Sequence, residues 1–181
     1  MTLPTLLTGR LRLRAWTEGD AGAFHELWGD PRVIWWGHTA TPEASLRKLA
    51  EVLARCATMP EGLGWWAVEA RDTRRVVGNI VLRPASYDDT TELGYHLARD
   101  GWGRGYATEA ARAALCHGFS TLRLPVVSAV VHVDNHASHR VAARVGLRAS
   151  GSITYNGMPH VLYELSREEA LALDGAASAA T

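Results

Sequence analysis

The chain has 181 residues, 47% of them hydrophobic, and 19 Lys+Arg balance 19 Asp+Glu. That length predicts one domain with enough buried surface for a real core, and the zero net charge gives no reason to expect nucleic acid or a membrane as partner. Cys56 and Cys116 lack a Cys-x-x-Cys neighbour, no signal peptide opens the chain and no apolar run is long enough for a bilayer, so buried free thiols and a cytoplasmic location are expected.

Arg10-Leu-Arg-Leu-Arg-Ala-Trp16 alternates strictly and predicts a strand whose arginines form a solvated face. Thr17 with Asp20 three residues on resembles a capping box, and the helix it opens runs to about Trp28, before Asp30-Pro31 breaks it. Val33-Ile-Trp-Trp-Gly37 is apolar without a period. Thr41-Pro42-Glu43 places a cap and then a proline at the first helical position. The helix it starts carries Leu46, Leu49, Val52 and Leu53 as a core stripe. Trp65–Ala70 and Val76–Leu82 read as a hairpin closed by the polar segment 71–75, and Glu92–Leu97 as a fourth strand. A helix from Tyr106 to Phe119, a β-branched strand Val126–Val133 and a helix from Asn135 to a glycine stop at Gly146 follow. Leu147–Tyr155 and His160–Leu165 flank Asn156-Gly157, a strong hairpin signal. The small-residue tail from Asp174 is expected to fray. The order β-α-α-β-β-β-α-β-α-β-β predicts an α/β fold, with a mixed sheet and helices on both faces.

Between the fourth strand and the third long helix lies Arg99-Asp-Gly-Trp-Gly-Arg-Gly-Tyr-Ala-Thr-Glu-Ala110. A strand that feeds a glycine turn opening into a helix gathers unpaired N–H groups and partial positive charge, a recipe for phosphate oxygens. Gly101, Gly103 and Gly105 remove Cβ atoms that would hold a phosphate away, and Arg104 adds a charge-assisted contact. A P-loop needs Lys-Ser/Thr after its last glycine, where Tyr106 and Ala107 stand, and the glycine spacing of a dinucleotide fold is missing.

This order and this turn resemble the GNAT N-acetyltransferase family. Its acetyl-CoA fingerprint, Gln/Arg-x-x-Gly-x-Gly/Ala, is matched by Trp102-Gly-Arg-Gly105-Tyr-Ala107, with tryptophan in the first place. Trp102–Ala110 is similar to the RimJ/RimL-like branch, as are Asp30-Pro-Arg-Val33, Trp65-Trp-Ala-Val68 and Val77-Gly-Asn-Ile80. Glu92–Leu97 resembles the family's fourth strand, and Val133–Ser138 through Arg144-Val-Gly-Leu147 its second cofactor motif. The resemblance covers residues 6–166 and implies a single GNAT domain with a mostly antiparallel seven-stranded sheet, with 167–181 as a frayed tail.

The resemblance implies acetyl-CoA as cofactor, CoA as product, and direct transfer to a primary amine of a protein N-terminus or a small molecule. The diphosphate would lie on the N–H groups of Trp102, Gly103, Arg104, Gly105, Tyr106, Ala107 and Thr108, and the pantetheine arm along the backbone near Tyr95 and Leu97. Glu92 is the candidate base, with His96 on the same strand face as the second. Asn135 would bind the arm. The tyrosine that many members use as proton donor is replaced by Ala142, which leaves Ser138 for that role; as residue types, Asn135 and Ser138 are equally good helix caps. His132, His136 and His139 suggest zinc by type, but nothing in their spacing makes them converge, and no metal is expected. Trp35, Trp36, Trp65 and Trp66 serve either the core or an acceptor pocket. The rival reading is a non-catalytic acyl-CoA-sensing module. The acceptor's identity and homodimerisation stay open.

Overall fold

The computed structural model describes residues 3–34 and 40–179; Trp35 and Trp36, read above as core or pocket, lie outside the described residues. Among the described residues, eight strands form a mixed sheet: β1 (Leu6–Leu7), β2 (Leu11–Ala15), β3 (Gly64–Ala70), β4 (Val76–Pro84), β5 (Thr91–Leu97), β6 (Val126–His132), β7 (Arg148–Tyr155) and β8 (Met158–Ser166), in the order β1-β2-β3-β4-β5-β6-β8-β7. The described helices are α1 (Ala21–Trp28), α2 (Pro42–Thr58), α3 (Tyr106–Cys116), α4 (His136–Arg144) and α5 (Arg167–Ala179). The seven strands expected become eight because Leu6 and Leu7 pair antiparallel with Leu13 and Arg12. Two residues give no period to read, so the addition was invisible in the sequence.

The chain forms two compact units, residues 1–81 with 95–113 and residues 82–94 with 114–181. In the first, β2 and β3 pair antiparallel from Leu11–Ala70 to Ala15–Trp66, and every residue of β3 is buried. Trp16, Phe24, Leu49, Val52, Trp65 and Ala67 pack as one cluster. Trp16 meets Phe24 edge-on at 5.1 Å, an arrangement worth about 0.5–1.5 kcal/mol beyond burial. Its indole N–H donates to Asn79 Oδ1 at 3.1 Å, which satisfies a polar atom in the core. Trp65 and Trp66 are both core residues, and Trp66 Nε1 donates to the Pro4 carbonyl at 2.7 Å. Thr17 and Asp20 form the expected capping box, and the Thr41 side chain accepts from the Ala44 N–H.

In the second unit, β6 runs parallel to β5 through the pairs Thr91–Val127 and Glu92–Ser128, and antiparallel to β8. β7 and β8 close through Asn156 and Gly157, both at positive φ (50° and 75°), as the dipeptide predicts. α3 ends at Cys116 rather than Phe119, because residues 117–121 widen into a π turn. The tail expected to fray from 167 is helical to Ala179. Ser166 and Glu169 cap each other's ends of the first turn, Glu169 pairs with Arg148 at 3.1 Å, and Arg167 Nε donates to the Phe119 carbonyl at 3.0 Å. These anchors outweigh the weak composition. The thiols also differ from expectation: Cys116 is exposed, and Cys56 is half-buried. Burial pushes the Cys56 thiol up.

Candidate active site

The glycine turn belongs to the first unit. β5 ends at Leu97 and a 3-10 turn follows over Arg99–Gly101. Gly103 and Gly105 then take φ of +72° and +77°, a left-handed backbone that side chains resist. A Cβ built on Gly103 would meet nothing within 4 Å, and one on Gly105 only Arg10 Nη2 at 3.6 Å. Open space therefore borders the turn where the sequence places phosphate. α3 starts immediately after, and its first-turn N–H groups, on Tyr106, Ala107 and Thr108, have no partner within the helix.

Three details correct the expected cradle. The Trp102 N–H donates to the Arg99 carbonyl at 3.1 Å, so it is not available to a phosphate. The Trp102 indole, 49% exposed, donates to the Leu97 carbonyl at 2.7 Å, so that backbone acceptor is already engaged. A Cβ on Gly101 would stand 3.2 Å from Leu97 Cδ1 and from the Val77 carbonyl, so this glycine serves packing rather than ligand access. Arg104 is exposed, and Tyr95 is half-buried on β5.

The turn has a brace that the sequence did not reveal. Arg10, read as part of a solvated face, sends Nε and Nη2 to Glu109 Oε2 at 2.8 and 2.6 Å and Nη1 to the Arg104 carbonyl at 3.0 Å. Its guanidinium lies 4.9 Å from the centre of the Tyr106 ring. Glu109 also accepts from the Arg10 N–H at 2.9 Å and the Thr8 hydroxyl at 2.5 Å. The partners are 99 residues apart, so no local signal could have joined them.

In the second unit, Glu92 is only 6% exposed, and Arg83 Nε and Nη2 reach its Oε2 at 2.9 and 2.8 Å. Arg83 Nη2 also donates to the Tyr155 hydroxyl at 3.4 Å. The candidate base is thus a buried, paired carboxylate rather than a solvated strand end. Asn135 caps α4, its Oδ1 accepting the Ser138 N–H at 3.0 Å. Ser138 is half-buried, and Ala142, four residues on along the same helix face, is fully buried. His139 bridges the Tyr163 hydroxyl (2.9 Å) and the Val133 carbonyl (3.1 Å), while His132 packs edge-on against His160. No group of three His, Cys, Asp or Glu suited to a metal occurs among the described residues. His96, the second base candidate, lies in the first unit with its ring 5.1 Å from Trp28.

The sequence profile of the acetyltransferase (GNAT) domain matches residues 10–148, which spans the turn, Glu92 and all of α4. The chain belongs to the GNAT acetyltransferase family. It is similar to two Bacillus subtilis proteins. One is the uncharacterized protein YkkB (33% identity over 162 residues, covering 88% of this chain and 94% of YkkB). The other is the uncharacterized N-acetyltransferase YoaA (30% over 163 residues, 87% and 92%). A solved GNAT-family acetyltransferase from Bacillus anthracis superposes with a TM-score of 0.78 at 25% identity, covering 92% of this chain and all of that one. The left-handed glycines, open flank and helix N-terminus of the turn fit a diphosphate. No helix among the described residues is long and apolar enough to cross a membrane.

Proposed function

We propose that this GNAT acetyltransferase moves an acetyl group from acetyl-CoA directly to a primary amine, on a protein N-terminus or a small molecule, as a member of the RimJ/RimL-like branch. The observation that carries the reading is the turn from Gly103 to Thr108, with two left-handed glycines opening into α3. The Trp102–Ala110 motif supports the branch. The N–H groups from Gly103 onward take the diphosphate. Asn135, whose Oδ1 is held by its own helix, offers its amide N–H to the pantetheine arm. The bound cofactor supplies a thioester carbonyl.

The attacking amine must be neutral. An α-amino group, with a pKa of about 8, is deprotonated more readily than a lysine at about 10. Glu92 takes the ammonium proton, directly or through one water. As the C–N bond forms and the C–S bond breaks, Ser138 would hand its proton to the departing sulfur and regain one from the nitrogen, which sheds its second proton on becoming an amide. Ala142, apolar and fully buried, has none to give, and Ser138 stands one helical turn before it.

A second reading draws on one observation. Two Arg83 nitrogens already occupy Glu92 Oε2 and the side chain is buried, which leaves it poorly placed to reach an amine and suits a module that binds acyl-CoA without turning it over. Thiol release from acetyl-CoA across a panel of N-terminal peptides and small amines tests the enzyme reading. Calorimetry with CoA, ATP and NAD tests the cofactor. Turnover with micromolar CoA affinity, about −8 kcal/mol, is expected. CoA binding without turnover on any amine favours the sensing module. Absence of CoA binding overturns the assignment of the turn.

A further inference from the structure

We infer that Arg10, the residue just before β2, is a positioning residue that fixes the shape of the glycine turn through Glu109 and the Arg104 carbonyl; this rests on the reading of that turn as the CoA diphosphate site. β2 is already held by its ladder with β3, and α3 by its own hydrogen bonds. Yet one guanidinium reaches across to both ends of the turn's exit. On one side it takes the Arg104 carbonyl, between the two left-handed glycines. On the other it grips Glu109, one helical turn into α3, with two donors on the same oxygen. The ring of Tyr106, the first residue of α3, lies beneath its flat face.

The anchor itself is rigid. The Thr8 hydroxyl donates to Glu109 and accepts from the Leu11 N–H at 2.9 Å. The Arg71 side chain donates to the carbonyls of Thr8 (2.7 Å) and Gly9 (3.2 Å), and its N–H donates to the Arg10 carbonyl at 2.9 Å. Gly103 and Gly105 have no side chains to hold their backbone, so a flexible turn needs an outside strut. Amides that are fixed before the ligand arrives bind it without an ordering penalty. The fork matters more than the charge, because a single ammonium nitrogen does not reproduce the fixed, planar set of donors that meets the carboxylate twice and the carbonyl once.

The test compares the intact protein with Arg10→Ala, Arg10→Lys and Glu109→Gln, using CoA as the calorimetric probe and amide hydrogen exchange across residues 103–109 as a second readout. Arg10→Ala and Glu109→Gln should each weaken CoA by about tenfold to a hundredfold, the scale of a lost charge-assisted contact. Exchange in the turn should quicken while β3 stays protected. The two changes combined should do little more than one, and lysine should not rescue. Wild-type CoA affinity in Arg10→Ala overturns the inference, as does full rescue by lysine. Should the unmodified protein fail to bind CoA, the functional reading falls instead. Exchange then decides the strut: quickening confined to the turn in Arg10→Ala upholds it, and an unchanged rate overturns it.

Discussion

Glu92 faces two demands that pull apart. A proton acceptor must be accessible to its substrate, whereas Glu92 is only 6% exposed and Arg83 at 2.8 Å holds it in place. Glu92→Gln keeps the shape and removes the basicity. Turnover should drop about 10²-fold or more with CoA affinity unchanged, as steady-state rates and calorimetry would show. The fold should lose about 2–4 kcal/mol, nearer the lower figure, because Arg83 keeps 24% of its side chain exposed and is partly solvated when left unmatched. Normal turnover with a lowered melting point would reduce Glu92 to a structural ion pair. The glycines of the turn permit a cleaner contrast. Gly105→Val forces a β-branched residue to φ +77°, at a cost of about 1–2 kcal/mol, and blocks the open flank, so CoA affinity should fall steeply. Gly101→Ala presses on Leu97 and Val77 instead, and should lower the melting point with a smaller effect on CoA.

Among the elements, legibility followed the range of the interaction. Thr17 with Asp20, Thr41 with Pro42, and Asn156 with Gly157 act over one to three residues, and each does in the structure what its spacing predicted. The short β1 and the anchored α5 depend on partners elsewhere in the chain. So do Arg10 with Glu109 and Arg83 with Glu92 and Tyr155, and a single sequence shows none of these pairings. Gly146 sits between these cases. Its stop signal was readable and its φ is +89°, yet its second duty was not: a Cβ there would lie 2.6 Å from Leu173 Cδ1 of α5. Gly146→Ala should therefore lower stability by about 1–2 kcal/mol from backbone strain and also loosen α5, seen as faster proteolysis near residue 170. Adding Leu173→Ala should relieve the clash and leave the strain, so the melting point recovers only in part.

At the scale of the whole chain, several ion pairs meet at β2 and the residue before it. Arg14 of β2 pairs with nearby Asp20 and distant Glu69 at 2.8 Å each, and Arg10, just before β2, with Glu109 at 2.6 Å, all within the first unit. Burial raises the Asp20 carboxyl, but bonds from Arg14 and Thr17 outweigh it and hold the group below its ordinary 3.8. Burial likewise opposes Glu109, and bonds from Thr8 and Arg10 hold it below 4.5. A carboxylate depressed in the folded state binds fewer protons there than in the unfolded chain. Its contribution is complete above the ordinary value and fades as pH falls through the folded one. Stability should thus hold from neutrality to about pH 5 and then decline below 4.5 and 3.8 in turn. Hydrogen exchange during this descent should report β2 and the start of α3 among the first segments to open. Arg10→Ala and Arg14→Met should each flatten part of the acid limb by removing the partner that depresses the acid. Added salt should weaken the Arg10 pair more than the Arg14 pairs, because Arg10 is half-exposed and Arg14 largely buried. An acid limb of unaltered steepness in both variants would show that these ion pairs add nothing to stability, and that β2 is held by its ladder with β3 and its apolar face.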